Sequence, residues 1–325
     1  MKFEAFSHPK SRDLSVPSDD VLLHIPGRMT GIFDGASDSL GRRVNGVPVG
    51  RLAAMAAAQS AAELPAEAAN WPARKILETL SRAVGAQIPI TAGDAPASTT
   101  AMIAFETSDG IRMLGIGDTA FRINGGDVQI TELAPDRVSI PARVALFEMF
   151  LSRGMPLVEC ETASREIIGK GLIWAVGSGV LSQAQADKIL QRGLDSLALP
   201  HATDEAIHLI RHGLQSQYLL ANAVDAHLGY GVLNGARPAM VYAIDQTIPD
   251  RGLASIELFS DGYLAPPPTI SIEAWERWHA DLERTDPHKI AKFPAIKGSN
   301  PTAFFDDRTV AILRFQAADG MSQEE

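Results

Sequence analysis

Short apolar runs near both ends of the chain predict β-strands. Residues 19–25 and 29–33 form two such runs, and a Pro-Gly turn signal separates them. The dipeptides Asp109-Gly110 and Gly125-Gly126 are turn signals between apolar runs. This pattern predicts an antiparallel meander. The apolar runs of this meander are residues 100–106, 111–116, 120–123 and 127–131.

Helical periodicity fills most of the chain between the strand-like runs. Residues 49–84 are rich in Ala, Leu, Glu and Arg at helical spacing, and Pro65 and Pro72 interrupt them. Residues 141–228 are predicted to be mostly helical, and residues 272–284 to form a short helix. Strand character returns at residues 239–244, 254–259 and 309–315.

The order of these elements predicts the fold class. Strands recur on both sides of helical blocks, without the regular alternation of a βαβ array. This order predicts one α+β domain in which helices cover antiparallel sheets. We interpret the central helical block, residues 141–235, as an insertion or cap, and residues 317–325 as a polar tail.

The composition excludes several classes of protein and leaves a metal site open. In a chain of 325 residues with 46% hydrophobic and 21% charged residues, extensive disorder is not expected. The single cysteine, Cys160, excludes an intrachain disulfide framework and a cysteine zinc ribbon. A net charge of −10 argues against binding to nucleic acids or anionic membranes, whereas carboxylates can still bind metal cations.

We expect neither export nor membrane insertion from this sequence. The first residues, MKFEAFSHPKSRDL, lack the apolar core of a signal peptide. The nearest approach to a membrane span, residues 172–181, is shorter than the roughly 18 apolar residues that a transmembrane helix needs. A cytoplasmic protein is therefore expected, and the sequence predicts no oligomeric state.

Acidic residues recur where the predicted strands begin or end. Asp34, Asp118 and Asp261 each follow a short apolar run, and the acidic pairs 19–20 and 306–307 open two strands. A single Asp-Gly pair usually marks a turn, and we interpret residues 109–110 in that way. If the other carboxylates converge, they repel one another unless cations neutralise them. Oxygen ligands of this kind favour Mg²⁺ or Mn²⁺ over zinc.

The segments around these acidic residues resemble, in chain order, the motifs of the metal-dependent PP2C-type (PPM) protein serine/threonine phosphatases. The segments are Ser-Asp-Asp-Val-Leu-Leu at 18–23, Gly-Ile-Phe-Asp-Gly at 31–35, Ser-Thr-Thr-Ala at 98–101, Gly-Asp-Thr-Ala-Phe-Arg at 117–122, Leu-Phe-Ser-Asp-Gly at 258–262 and Asp-Asp-Arg-Thr-Val at 306–310. The resemblance implies a four-layer αββα sandwich in which residues 1–316 form one phosphatase domain with an enlarged central helical insertion.

The resemblance also implies a site for two Mg²⁺ or Mn²⁺ ions, with a weaker third ion, and a phosphorylated protein as the substrate. By motif the metal ligands are Asp20, Asp34, the Gly35 carbonyl, Asp118, Asp261 and Asp306, with Asp34 bridging both ions and Asp118 and Asp261 lining the third site. Two divalent ions about 3.5–4 Å apart activate a bridging water, which attacks phosphorus in line. No protein nucleophile is then required.

The chain departs from the family pattern at three places. The loop after Gly35 reads Ala-Ser-Asp-Ser in place of the usual Gly-rich sequence, and Ala265 replaces a second Asp. Ser15 stands where the family often has a phosphate-binding Arg, so Lys10 and Arg12 become candidates, unless metal alone holds the phosphate. These departures motivate an alternative, a catalytically degenerate PP2C-like binding or sensing module.

Three other constellations have simpler structural interpretations. Cys160 and Arg165 are one residue too close for the Cys-x₅-Arg loop of cysteine phosphatases, so a buried structural thiol is favoured. His208 and His212 lack the intervening acidic base of an HExxH zinc site. The basic stretch 289–297 is interpreted as a solvated loop, with a contact to phosphorylated substrate as the alternative.

Overall fold

Strands of alternating and continuous apolar residues form the centre of the computed structural model, which describes residues 1–38, 41–88, 95–197 and 202–315. The strands in these ranges are β1 (Lys2–His8), β2 (Val21–Ile25), β3 (Met29–Gly35), β4 (Arg43–Val44), β5 (Val47–Pro48), β6 (Thr99–Thr107), β7 (Gly110–Ile116), β8 (Ala120–Ile123), β9 (Val128–Gln129), β10 (Ala243–Ile248), β11 (Ser255–Phe259) and β12 (Arg308–Arg314). The Asp-Gly pair after β6 makes the predicted hairpin with β7.

Within the described ranges, ten of these strands form two antiparallel five-stranded sheets. One sheet has the order β1-β12-β11-β8-β9, and the other has the order β10-β7-β6-β3-β2. The described α-helices are α1 (Val49–Ala62), α2 (Ala73–Gln87), α3 (Asp136–Ser152), α4 (Leu157–Lys170), α5 (Leu172–Gly177), α6 (Gln183–Leu194), α7 (Thr203–His212) and α8 (Ile272–Thr285).

The buried side chains divide the sandwich into four layers. Apolar residues of both sheets, such as Ile32 and Leu258, meet in a core between them. Alanines and leucines of α1 and α2 cover the outer face of the sheet that contains β3. Trp275 of α8 packs on Phe259 at the outer face of the other sheet. The predicted α+β class and the αββα arrangement are therefore confirmed.

The central helices have a hydrophobic core of their own. Buried residues of α3 to α7, such as Leu146, Phe147 and Leu209, form a cluster separate from those of the sandwich. Arg143 of α3 is fully buried and pairs with the buried Glu161 of α4. Its guanidinium also donates to the carbonyl oxygens of Lys289 (3.0 Å) and Ala295 (2.8 Å), which ties this helical block to the loop after α8.

Several sequence-based boundaries and pairings were wrong. The predicted meander is split, because Gly117 adopts a left-handed φ of +86° and passes the chain from β7 in one sheet to β8 in the other. The strand predicted at 239–244 begins with the 3₁₀ turn Met240–Tyr242 and continues as β10. Strand β1 was not predicted. Helix α3 begins before Pro141, which it tolerates in its second turn.

No described helix has the length and apolar character needed to cross a membrane. The predicted polar tail, residues 317–325, lies outside the described residues, as does Ser39 of the altered loop.

A buried histidine under α8 predicts a loss of stability in acid. His279 lies against the rings of Tyr263 and Phe305, where burial and the nearby Arg308 lower its pKa from 6.5 to about 3. The unfolded chain takes up a proton near its ordinary pKa of 6.5, whereas the folded protein resists protonation down to about 3. This contribution to stability is therefore complete above that ordinary pKa and is lost as the pH falls below it.

We accordingly expect the free energy of unfolding of wild type to fall more steeply between pH 6.5 and 4 than that of a His279→Leu variant. The extra slope is at most about 1.4 kcal/mol per pH unit, the value for one proton. Urea titrations at several pH values measure this difference. Parallel curves for the two proteins would contradict the assignment.

Candidate metal centre

A cavity of about 340 Å³ lies between the sandwich and the central helices. Four of the predicted metal-ligand aspartates line it: Asp34, Asp118, Asp261 and Asp306. They come from the end of β3, the turn after β7, the residues after β11 and the residues before β12. Residues far apart in the sequence and belonging to both sheets therefore converge on one cavity.

Close backbone packing positions Asp34. The hydroxyl of Thr99 donates to the Asp34 carbonyl oxygen at 2.7 Å. A Cβ added to Gly35 would lie 2.5 Å from the carbonyl oxygen of Gly50 and 2.8 Å from that of Asp19. Only glycine therefore fits between the end of β3 and the start of α1, which explains the Asp-Gly sequence without invoking a ligand role for its carbonyl.

Glycine has a similar structural role beside the other two aspartates that follow strands. The left-handed Gly117 turns the chain before Asp118, and a Cβ added there would lie 2.3 Å from Thr100 Cγ2. A Cβ added to Gly262 would lie 1.8 Å from the carbonyl oxygen of Asp307. This contact brings the end of β11 against the start of β12, so Asp261 and Asp306 open onto the same cavity.

Asp20 is buried behind the cavity and is held by the opposite sheet. Its Oδ2 accepts a hydrogen bond from Ser260 Oγ at 2.7 Å, and Ser260 Oγ in turn accepts from the Thr309 amide at 2.9 Å. Its Oδ1 is buried without a hydrogen-bond partner among the described residues. A carboxylate oxygen without a hydrogen-bond partner is available as a ligand for a cation.

The carboxylates disfavour each other's charge. Burial raises the pKa of Asp34 well above its usual range, and the charges of Asp20, Asp261, Asp118 and Asp306 raise it further. Burial likewise raises the pKa of Asp261, with Asp306 as the leading charged neighbour. The pKa of Asp118 is raised in the same way, since burial outweighs its hydrogen bonds. A cation among these groups would relieve both effects.

Lys297 places a positive charge in this acidic cavity. Its Nζ lies 2.6 Å from Asp306 Oδ2, and the residue lines the cavity. The charge of Lys297 partly offsets the raised pKa of Asp118 and of Asp261. The interpretation of the basic stretch 289–297 as a solvated loop was therefore wrong for Lys297, whose side chain lies in the centre itself.

The two phosphate-binding candidates from the sequence lie elsewhere among the described residues. Lys10 Nζ is 2.7 Å from both Asp19 Oδ2 and Asp307 Oδ2. Burial opposes its charge, but these carboxylates together with Asp306 outweigh burial and raise the pKa of Lys10. Arg12 lies over the ring of Phe304, 4.1 Å from its centroid. Neither side chain lines the cavity, so their phosphate-binding role stays a prediction.

The ligand chemistry fits a hard divalent cation, because four of the predicted ligands that line the cavity are carboxylates and Asp20 presents a buried oxygen without a hydrogen-bond partner. Their spacing is looser than that of a preassembled site. Within residues 1–38, 41–88, 95–197 and 202–315, no three carboxylate, imidazole or thiolate groups form a metal-binding group. The ligand roles assigned from the motifs therefore stay predictions.

The helical block supplies one wall of the cavity, which sequence reasoning missed. The residues that line it include Arg165 of α4, Gln217 and Tyr218 of the 3₁₀ helix Leu214–Leu220, and Tyr230 in the loop that follows. Asp136, the first residue of α3, lies near Asp118; burial, followed by the charge of Asp118, raises its pKa to about 7. These residues carry no local motif, since only the folding of separate helices brings them to the cavity.

The other candidate constellations have structural explanations. Cys160 is buried within α4, and its thiol donates weakly to the Met155 carbonyl oxygen at 3.4 Å. The rings of His208 and His212 stack on α7 with centroids 4.3 Å apart. A cysteine-phosphatase loop is excluded by the helical backbone around Cys160, and the histidines are explained as a stacked surface pair.

Solved structures similar to this chain include bacterial serine/threonine phosphatases. One is Stp1 from Staphylococcus aureus, with a TM-score of 0.45 and 11% identity over 97% of this chain and 95% of that chain. Another is PstP/Ppp from Mycobacterium tuberculosis, with a TM-score of 0.43 and 14% identity over 97% of this chain and 98% of that chain. The catalytic domain of PstP in complex with two manganese ions has a TM-score of 0.40 and 12% identity over 96% of both chains.

No family model matches the chain, and no curated protein matches it. The three solved structures share at most 14% sequence identity with this chain. The convergent aspartates and their cavity, rather than these distant matches, are the basis for a function.

Proposed function

We propose that this chain is a divalent-metal-dependent phosphomonoester hydrolase that acts on phosphoserine or phosphothreonine in proteins. The observation that carries the proposal is the convergence of Asp34, Asp118, Asp261 and Asp306 on one cavity. Burial first, and then the charges of neighbouring carboxylates, raise the pKa values of Asp34, Asp118 and Asp261. Residues 1–316 act as one domain in this proposal, with the helical block as its cap.

The proposed roles of the side chains combine the motif resemblance with their positions at the cavity. Asp34, Asp261 and Asp306 would hold Mg²⁺ or Mn²⁺, with Asp20 behind them and Asp118 toward a weaker site. When bound, such ions neutralise charge on phosphoryl oxygens and make hydroxide available near neutral pH. The cap wall that contains Arg165 and Tyr230 would exclude water and position the phosphorylated residue over the carboxylates.

Metal addition is the direct test of this proposal. We expect Mn²⁺ at a hundred times its dissociation constant to stabilise the protein by about 2.7 kcal/mol, and the melting temperature to rise by several degrees. The same ion should support phosphate release from p-nitrophenyl phosphate and from a phosphoserine peptide, and EDTA should reverse both effects. Absence of any thermal shift and of any EDTA-sensitive phosphate release would refute the proposal.

A degenerate binding or sensing module is the second candidate, and a specific contact favours it. The Lys297 ammonium group already pairs with Asp306 at 2.6 Å. A lysine that kept this place permanently would neutralise part of the cluster and compete with catalytic metal. In that case the protein would bind phosphorylated ligands in its cavity without turnover, and calorimetry with Mn²⁺ would detect no metal binding.

A further inference from the structure

The contact between Lys297 and Asp306 is more than a surface ion pair. Both side chains are mostly buried, with 12% and 14% of their surface exposed, and Nζ lies 2.6 Å from Oδ2. The lysine charge also acts on Asp118, Asp261, Asp136 and Asp307, whose pKa values it lowers against the effect of burial. One ammonium group therefore offsets part of the negative charge of several carboxylates.

The backbone around Lys297 is held by the helical cap. The amide of Gly298 donates to Glu161 Oε1 at 2.7 Å, and a Cβ added to Gly298 would lie 2.5 Å from Glu161 Oε2. The Arg143 guanidinium donates to the carbonyl oxygen of Ala295 at 2.8 Å, two residues before Lys297. These buried contacts fix the loop, so the lysine is presented to the cavity by α3 and α4.

A divalent cation and this ammonium group would compete for the same carboxylate. Asp306 Oδ1 already accepts a hydrogen bond from the Asp307 amide at 3.0 Å, which leaves Oδ2 as its oxygen toward Lys297. Two cations at this oxygen would repel each other strongly in a buried site. Metal binding through Asp306 is therefore opposed by the ammonium group unless that group moves away.

We propose that Lys297 is a resident counter-ion of the carboxylate cluster, and that a divalent cation must displace its ammonium group from Asp306. This inference rests on the proposed metal-dependent function. Lys297 then determines how tightly the chain binds metal, and the cap, which holds its loop, determines the position of the lysine. The metal-free protein is kept folded by the same charge that opposes metal binding.

Isothermal titration of Mn²⁺ into the metal-free full-length chain tests the inference. The variants are Lys297→Met and, as a matched control in the same loop, Lys292→Met, because the Lys292 ammonium group lies over the rings of Trp278 and Phe293. We expect Lys297→Met to bind Mn²⁺ at least about tenfold more tightly than wild type, since coupling of close buried charges exceeds about 1.4 kcal/mol. Lys292→Met should bind like wild type.

Two further measurements keep the test decisive. Circular dichroism establishes that each variant is folded, and Lys297→Gln replaces Lys297→Met if the methionine variant is not. The metal-free melting temperature should fall in the Lys297 variants, because the carboxylates lose their counter-ion. Adding Asp306→Asn to Lys297→Met should abolish the gain in Mn²⁺ affinity.

The outcomes separate this inference from the proposed function. Wild-type binding with equal or weaker binding by the Lys297 variants would overturn the inference and leave the proposed function standing. Mn²⁺ binding by the Lys297 variants but not by wild type would support the counter-ion role of Lys297. It would overturn metal-dependent catalysis by the natural chain. No binding by any variant would overturn both.

Discussion

Asp34→Asn is expected to make the metal-free protein more stable and to remove the proposed metal-dependent phosphatase activity. Burial and four neighbouring carboxylates raise the pKa of Asp34, so its charge is unfavourable in the folded state at neutral pH. Asparagine keeps the shape of the side chain and removes that charge. We expect the melting temperature without metal to rise by a few degrees, which corresponds to about 1 kcal/mol in a protein of this size.

The activity should change in the opposite direction. Charge neutralisation by bound metal contributes several kcal/mol to phosphoryl-transfer catalysis, so kcat/KM with Mn²⁺ should fall on the order of 10³-fold. The thermal shift caused by Mn²⁺ should shrink as well. Asp109→Asn is the matched control, because Asp109 lies in the exposed hairpin turn between β6 and β7. It should leave both quantities unchanged.

The metal-free melting temperature and the Mn²⁺-dependent activity of Asp34→Asn together decide between the candidate functions. A more stable Asp34→Asn protein with full metal-dependent activity would remove Asp34 from the metal centre. A less stable one would show that its carboxylate makes favourable contacts that outweigh repulsion. Greater stability in a chain that shows no Mn²⁺ response before or after substitution would favour the degenerate module.

Arg143→Met is expected to cause the largest loss of stability among the substitutions considered. The guanidinium is fully buried, and its removal leaves Glu161 charged in the interior and three loop carbonyl groups without their donor. Breaking a buried ion pair from one side typically destabilises a protein by about 3–5 kcal/mol. We therefore expect a fall in melting temperature of roughly 10 °C.

The same helix offers a control for this prediction. Arg137 of α3 pairs with Glu132, but both side chains are about half exposed. Arg137→Met should change the free energy of unfolding by less than about 1 kcal/mol. Urea unfolding measures both variants. A double variant, Arg143→Met with Glu161→Leu, should be less destabilised than Arg143→Met alone, and additive effects would argue against the ion pair as the cause.

The sandwich was largely predictable because its signals are local. The alternating and continuous apolar runs identified β2, β3, β6, β7, β8 and β11 to within one or two residues at each end. Glycine after Asp34 and Asp261 carried information of a different kind. It marks positions where another backbone comes too close for a Cβ, and the sequence shows this only as an Asp-Gly pair.

The rest of the site depends on long-range packing, which leaves little local trace. Lys297 reaches Asp306 only because Arg143 and Glu161, more than a hundred residues earlier, hold its loop. Asp136 reaches Asp118 only because α3 begins beside the cavity. Strand β1 was missed because its pairing partner β12 lies at the other end of the chain. These contacts join residues that are far apart in the sequence, so local sequence patterns do not predict them.

The position of β12 has a consequence for co-translational folding. This strand is an interior strand of its sheet, between β1 and β11, and it is the last of the described strands to be translated. Until it emerges, β1 has no neighbour, and the aspartate that precedes β12 is missing from the cavity. A nascent chain that ends before residue 306 therefore contains at most three of the four cavity aspartates, and the carboxylate cluster is complete only when the residues around β12 have been translated.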